Sequence, residues 1–236
     1  MTYEEFLKRL AQCKTGSAEE QAYATSVLKP YRVKNAVLMA AGYGNRLAPL
    51  TNRVPKGLLQ IRGEILVERQ IRQLLEAGIE EIFLVVGHLK EQFSYLASNP
   101  HIHIIENPDY THYNNISSLY RVLDILDNTY ICSADNYFTE NVFTPYVYRS
   151  YYAAVYGEKP TEEYYLTVDK NDRITDVQIG GTCGYYMLGQ AYFSHTFSIR
   201  FQELLKEAYN TDLSVRELLW EQFYMQHLDE LSLYRK

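Results

Sequence analysis

Gly42, Gly44, Arg46 and Lys56 lie in one stretch, LMAAGYGNRLAPLTNRVPKGLL (38–59), which opens as an apolar run and closes on Pro55-Lys56-Gly57. Turns without side chains let successive backbone N–H groups converge on an anion. Arg46 can fork across two phosphate oxygens, and Lys56 can bring a mobile point charge. Glycines followed by two cations ten residues apart suit a triphosphate that must be held while one bond breaks. Two other phosphate grips fail on spacing. A P-loop ends in Gly-Lys-Ser/Thr, whereas Lys56 is followed by Gly57 and Leu58. A dinucleotide fingerprint begun at Gly42 needs Gly or Ala where Leu47 stands.

Other chemistry is thinly represented. There is no Ser-His-Asp constellation and no His-x-x-x-His, and the six histidines are scattered, with His101 and His103 reading as a solvated strand face. Cys13, Cys132 and Cys183 are an odd set without a Cys-x-x-Cys pair, which excludes a disulfide framework and disfavours zinc. A reducing, cytoplasmic setting fits best. A net charge of −6 argues against nonspecific nucleic-acid binding, so any anionic substrate must be met by local cations. No signal peptide and no membrane span are visible. The 23 tyrosines, many between Tyr110 and Tyr186, read mostly as sheet-edge packing, with a minority free to line a pocket for a cation.

The elements that must position these residues follow from periodicity. Residues 1–32 read as a helical appendage, with Tyr3, Phe6, Leu7 and Leu10 at helical spacing, a break at Thr15-Gly16-Ser17, and a second helix from Ala18 to Leu28. A helix-turn-helix fragment would want a basic recognition face that is lacking, so the pair reads as a packing arm against the main domain or a partner subunit. Residues 33–236 read as one α/β domain. Strands are expected at 33–39, in EEIFLVVGH, in HIHII and in TYICSADN, alternating with helices at 64–77, 90–97 and 115–126. That alternation predicts an α/β, doubly wound, mainly parallel Rossmann-like sheet. SYYAAVYGE, EYYLTVD, RITDVQIG and CGYYMLG then predict a β-rich insertion, followed by helices at 191–209 and 213–227.

The string G-x-G-x-R-x-x-P-L-T followed by Pro-Lys is far more specific than its glycines alone. It resembles the nucleotidyltransferase family that includes sugar-1-phosphate nucleotidyltransferases and, within it, is similar to the bacterial CTP:phosphocholine cytidylyltransferases. GHLKEQFSYL, YNNISSLY and ADNY extend the likeness from about Val33 to Tyr234. The resemblance implies that Ala41, Gly42, Tyr43, Gly44, Asn45 and Arg46 hold the nucleotide phosphates, with Lys56 at the reacting α-phosphate. Asn45 departs from the commoner Ser or Thr. Tyr113, Asn114, Asn115 and Ser118 would border the base, and Ala134 and Asp135 would complete the nucleotide site. Arg46, Lys56 and Asp135 would be the catalytic groups, and Asp135 would hold Mg²⁺. Each residue also has a plainer reading: Asn114 can cap a helix, Asp135-Asn136 can end a strand, and Lys56 can be a solvated loop charge.

The implied reaction gives CDP-choline and pyrophosphate from CTP and phosphocholine. The acceptor phosphate is itself the nucleophile, so alignment and charge neutralisation dominate. Choline asks for aromatic walls and a carboxylate, which Tyr164, Tyr185, Trp220 and Glu221 can supply beside Asn136. Trp220 can equally pack its helix on the sheet. Relatives continue into an acidic segment completing the Mg²⁺ site, whereas LSLYRK closes this sequence. Either another carboxylate substitutes, or the sequence is a piece of a longer chain, as some relatives carry a choline kinase domain. The rivals are a sugar-1-phosphate nucleotidyltransferase and a catalytically weak nucleotide- or choline-sensing module.

Overall fold

A computed structural model describes residues 1–236. Helices α1 (Tyr3–Thr15) and α2 (Ala18–Leu28) each begin on a reciprocal capping box, Thr2 with Glu5 and Ser17 with Glu20. The rings of Tyr31 and Tyr148 meet Phe6 at 5.3 and 5.4 Å. Phe6, Ala24 and Leu28 are buried, yet none belongs to the two large apolar clusters of the molecule.

The apolar run before the glycines forms β1 (Asn35–Ala40). A small hairpin, β2 (Gln60–Ile61) and β3 (Glu64–Ile65), leads into α3 (Leu66–Glu76) and β4 (Ile82–Val86). Then follow β5 (Ile102–Glu106), α4 (Asn115–Arg121) and β6 (Thr129–Ser133). The second half contains β7 (Tyr151–Gly157), β8 (Thr161–Val168), β9 (Ile174–Gly181) and β10 (Gly184–Phe193). It ends with α5 (His195–Thr211), α6 (Trp220–Met225) and β11 (Tyr234–Arg235).

Nine of these strands make one sheet in the order β11-β7-β10-β6-β1-β4-β5, with the β8–β9 pair hanging from β10. Strands β6, β1, β4 and β5 are parallel, and β10 joins them antiparallel to β6. Alternation along β1 explains the layering. Val37 faces a cluster with Ile116, Phe201, Trp220 and Phe223, while Ala36 and Leu38 face another with Ile71, Leu74 and Phe93. Helices thus cover both faces, as the doubly wound reading requires. The β-rich segment continues this sheet. No helix is long and apolar enough to cross a membrane.

Several boundaries differ from expectation, for local reasons. The stretch 64–77 gives Glu64 and Ile65 to the hairpin, because Arg62 and Gly63 take positive φ and turn the chain there. Residues 90–98 wind as a 3₁₀ helix after Leu89, itself at φ 50°. Helix α4 stops at Arg121, and the crowd of buried Leu119, Val122, Leu123 and Leu126 continues in a tighter 3₁₀ turn. Ala191, Tyr192 and Phe193 prolong β10 against Ile131, Tyr130 and Thr129, so α5 starts only after its Ser194 cap. The stretch 213–227 is broken by extended Leu218 and Leu219.

Candidate active site

The carboxyl ends of β1 and β6 open into a cleft of about 410 Å³. Its lining brings together Ala41, Gly42, Tyr43, Gly44, Asn45 and Arg46 with Lys56, Tyr113, Asn114, Asn115, Ser118, Ala134 and Asp135. Ligands gather at this edge of a doubly wound sheet.

The glycine turn is held from outside. The His88 N–H donates to the Ala41 carbonyl at 2.9 Å, and the Thr51 hydroxyl donates to the Gly44 carbonyl at 3.0 Å. Tyr43 packs on His88 and on Tyr110, with ring centroids 4.9 and 5.1 Å away. Gly44 sits at φ 69°, and a Cβ there would lie 2.9 Å from Thr51 Cγ2 and 3.2 Å from Lys56 Cγ. Only glycine fits both demands. The N–H groups of Gly42, Tyr43, Gly44 and Asn45 donate to no backbone carbonyl, which leaves them for an anion.

The cations are placed differently. Arg46 is exposed and has no ion-pair partner in the chain. Lys56 Nζ is paired with the Asp135 carboxylate, both side chains being about one-third to one-quarter exposed (33% and 26%). Gly57 makes this pairing possible. A Cβ at Gly57 would come within 3.1 Å of the Ala134 Cβ, so the Lys56-Gly57 backbone can lie against the tip of β6 only without one.

Asn114 occupies the cap position of α4, but its side chain donates to the Glu217 carbonyl and makes no cap bond. Asn115 is a junction. Its Oδ1 accepts from the Trp220 N–H at 2.7 Å, and its Nδ2 donates to Glu221 Oε2 at 3.3 Å. Glu221 also accepts from the Tyr152 hydroxyl at 3.1 Å and is 9% exposed. Burial pushes its carboxyl pKa up, against the pull of those hydrogen bonds.

Asn136, Tyr164, Tyr185, Trp220 and Glu221 do not line the cleft itself. Asn136 donates to the Gly189 carbonyl. Tyr164 is half-buried beside the α5–α6 core. The Tyr185 ring already carries the Arg235 guanidinium at 4.1 Å. Trp220 is 1% exposed, stacked on Tyr152 at 5.4 Å with Phe193 edge-on at 5.3 Å, so it packs its helix on the sheet. Its indole N–H is buried without a partner.

Sequence reasoning missed Asn107, Tyr110, Leu219 and Tyr152. Buried Asn107 donates to the Ser117 and Ser118 hydroxyls at 2.8 and 3.1 Å and accepts from Asp109 N. The Asn107-Pro108-Asp109 turn was its visible signal. Tyr152 was hidden among its tyrosine neighbours.

An open glycine turn, two cations and one carboxylate at the switch of a parallel sheet define a nucleotidyltransferase. Residues 36–173 match the MobA-like NTP transferase domain, more than half of the chain, and the chain belongs to that family. It is 37% identical over 203 residues to the 2-aminoethylphosphonate cytidylyltransferase of Lancefieldella rimae, covering 84% of this chain and 82% of that protein. It is 35% identical over 199 residues to the choline-phosphate cytidylyltransferase of Streptococcus pneumoniae, covering 84% and 86%. The solved CTP:phosphocholine cytidylyltransferase of S. pneumoniae superimposes with a TM-score of 0.81 at 35% identity, over 87% of this chain and 89% of that one. Within the family the chain therefore groups with cytidylyltransferases.

Proposed function

We propose that the protein transfers CMP from CTP to phosphocholine, releasing pyrophosphate. One observation carries the acceptor class: Glu221 is a buried carboxylate with no cation beside it, tied by Asn115 to the nucleotide cleft. An uncompensated buried acid is costly, and a cationic head group would relieve that cost where a sugar hydroxyl would not. Tyr152 and Tyr164 border the position with aromatic surface.

The acceptor's phosphoryl oxygen attacks the α-phosphorus, a new P–O bond forms, and the bond to the bridging oxygen breaks as pyrophosphate leaves. The glycine-turn N–H groups and Arg46 hold the β- and γ-phosphates. Lys56 neutralises charge at the α-phosphate as it becomes crowded. Asp135 is the only carboxylate lining the cleft, and no three His, Cys, Asp or Glu side chains are grouped so as to hold a metal ion by themselves. That donor set fits Mg²⁺ brought by the nucleotide and steadied by Asp135. When bound, Mg²⁺ neutralises phosphate charge and orients the leaving group.

A second reading is favoured by the covered faces of Trp220 and Tyr185. With fewer free rings for a trimethylammonium, a primary amine that hydrogen-bonds Glu221 becomes a competitive head group, as in 2-aminoethylphosphonate. Pyrophosphate release decides: CTP and other nucleotides are each paired with phosphocholine, 2-aminoethylphosphonate, phosphoethanolamine and glucose-1-phosphate. Phosphocholine with CTP should give the highest kcat/KM. Preference for glucose-1-phosphate would overturn the acceptor class, and preference for 2-aminoethylphosphonate would select the second reading. No turnover with any pair would favour a sensing module.

A further inference from the structure

Three neighbouring side chains of α3 hold the segment that follows β6. The Gln70 amide donates to the carbonyls of Ser133 and Asn136, both at 3.0 Å. The Gln73 amide donates to those of Phe138 and Glu140, both at 3.2 Å. The Arg69 guanidinium reaches Phe138 and Thr139 at 2.8 and 2.9 Å. Both glutamines are buried, at 0% and 3% exposure. Because the groups facing each amide nitrogen are carbonyls, each side chain must present its NH₂, and each amide oxygen is left buried without a donor.

A buried amide oxygen with no partner is costly, but leucine of similar volume would remove it only by stripping a donor from two carbonyls. What the glutamine supplies is placement. The Asn136 N–H donates to the Ser133 carbonyl at 3.2 Å, closing a turn whose interior is Ala134 and Asp135. Gln70 grips the first and last carbonyls of that same turn. Ala134 is the surface against which Gly57 rests, and Asp135 is the partner of Lys56. One buried amide on the far side of the loop therefore sets where both groups of the ion pair stand.

We propose that Gln70 is a positioning residue for nucleotidyl transfer, clamping the Ser133–Asn136 turn so that Asp135 and Lys56 meet the α-phosphate in register. The inference rests on the reading of Asp135 and Lys56 as reacting-centre groups. Gln73 is its internal control, since it has the same chemistry, burial and orphaned oxygen but grips carbonyls beyond the turn.

The test compares Gln70→Leu with Gln73→Leu in the full chain. Thermal melts should fall by comparable amounts in both. Gln70→Leu should lower kcat by about tenfold or more, whereas Gln73→Leu should stay within about twofold of the parent. Calorimetric titration with CTP and Mg²⁺, without acceptor, should show weaker binding in Gln70→Leu alone. In an Asp135→Asn background, Gln70→Leu should remove nothing further, because residues acting through one group are not additive. Equal kcat losses in the two glutamine variants, or full additivity with Asp135→Asn, would overturn the inference. If Gln70→Leu fails to fold, Gln70→Asn, which draws the amide back by one methylene, should show the same kinetic signature. Failure of both to fold makes Gln70 a folding residue only and also overturns it. Undiminished turnover in Asp135→Asn would bring down the reading of Asp135 itself. A crippled Asp135→Asn beside an unimpaired Gln70→Leu would bring down the role of Gln70 alone.

Discussion

On the proposed reaction, Lys56 is useful in proportion to the charge it meets, which is greatest as the α-phosphorus is attacked. Lys56→Ala should therefore lower kcat by about a hundredfold while raising KM for CTP only a few-fold, measured as initial rates of pyrophosphate release. A larger effect on KM than on kcat would place Lys56 at ground-state binding. Glu221 carries the opposite tension between stability and use. Burial lifts its folded pKa above the unfolded value, so its contribution to stability is full below the unfolded pKa and is lost as pH rises through the folded one. Glu221→Gln keeps an acceptor for the Tyr152 hydroxyl and removes the buried charge. It should melt higher than the parent at neutral and alkaline pH, and the difference should vanish in acid. The same variant should raise KM for the acceptor by about tenfold, with KM for CTP little changed. In the parent, acceptor KM should climb on acidification starting above the ordinary carboxylate range. A flat acceptor KM across that range would remove Glu221 from the acceptor site. The residues of the cleft could be brought together from the sequence because glycine, arginine and lysine at fixed spacing have few other joint uses. The residues proposed for the acceptor were harder to read, since aromatic side chains serve cores and cages alike, and Trp220 lies in the core.

At the scale of elements, the parallel strands were legible because strands buried on both faces read as unbroken apolar runs. The ends of elements were not, because competition among neighbours decides them. Ala191, Tyr192 and Phe193 carry a helix-compatible pattern, yet pairing with β6 claims them for β10. Helix 115–126 shortens because four apolar groups must enter the core within eight residues. Turn geometry gives this scale its prediction. Gly44→Ala would place a Cβ at positive φ against Thr51 and the stem of Lys56. It should destabilise the fold by roughly 1–3 kcal/mol in denaturant melts and lower kcat as well as CTP affinity. Loss of stability with intact kinetics would separate the turn from the position of Lys56.

For the whole molecule, the helical arm is the part with least connection to the cleft. Its buried residues stand outside both large clusters, and burying Phe6 and Leu28 is worth roughly 1.5–3 kcal/mol each. Removing residues 1–28 should lower the melting temperature while leaving kcat/KM for CTP within about twofold of the full chain. A collapse of turnover would instead tie the arm to the site. The cleft itself has the opposite character. Its walls come from residues 39–57, 107–118 and 133–135, and Leu219 closes it from the far end of the chain. No single segment carries it, so a bound nucleotide cannot favour one subdomain over another and must report on global unfolding. At a hundred times its dissociation constant, a nucleotide adds about 2.7 kcal/mol to the folded state. Amide exchange in β1, β6 and α4 should slow together under those conditions, even where no atom touches the ligand. For this chain, occupancy by substrate and resistance to proteolysis become one measurement.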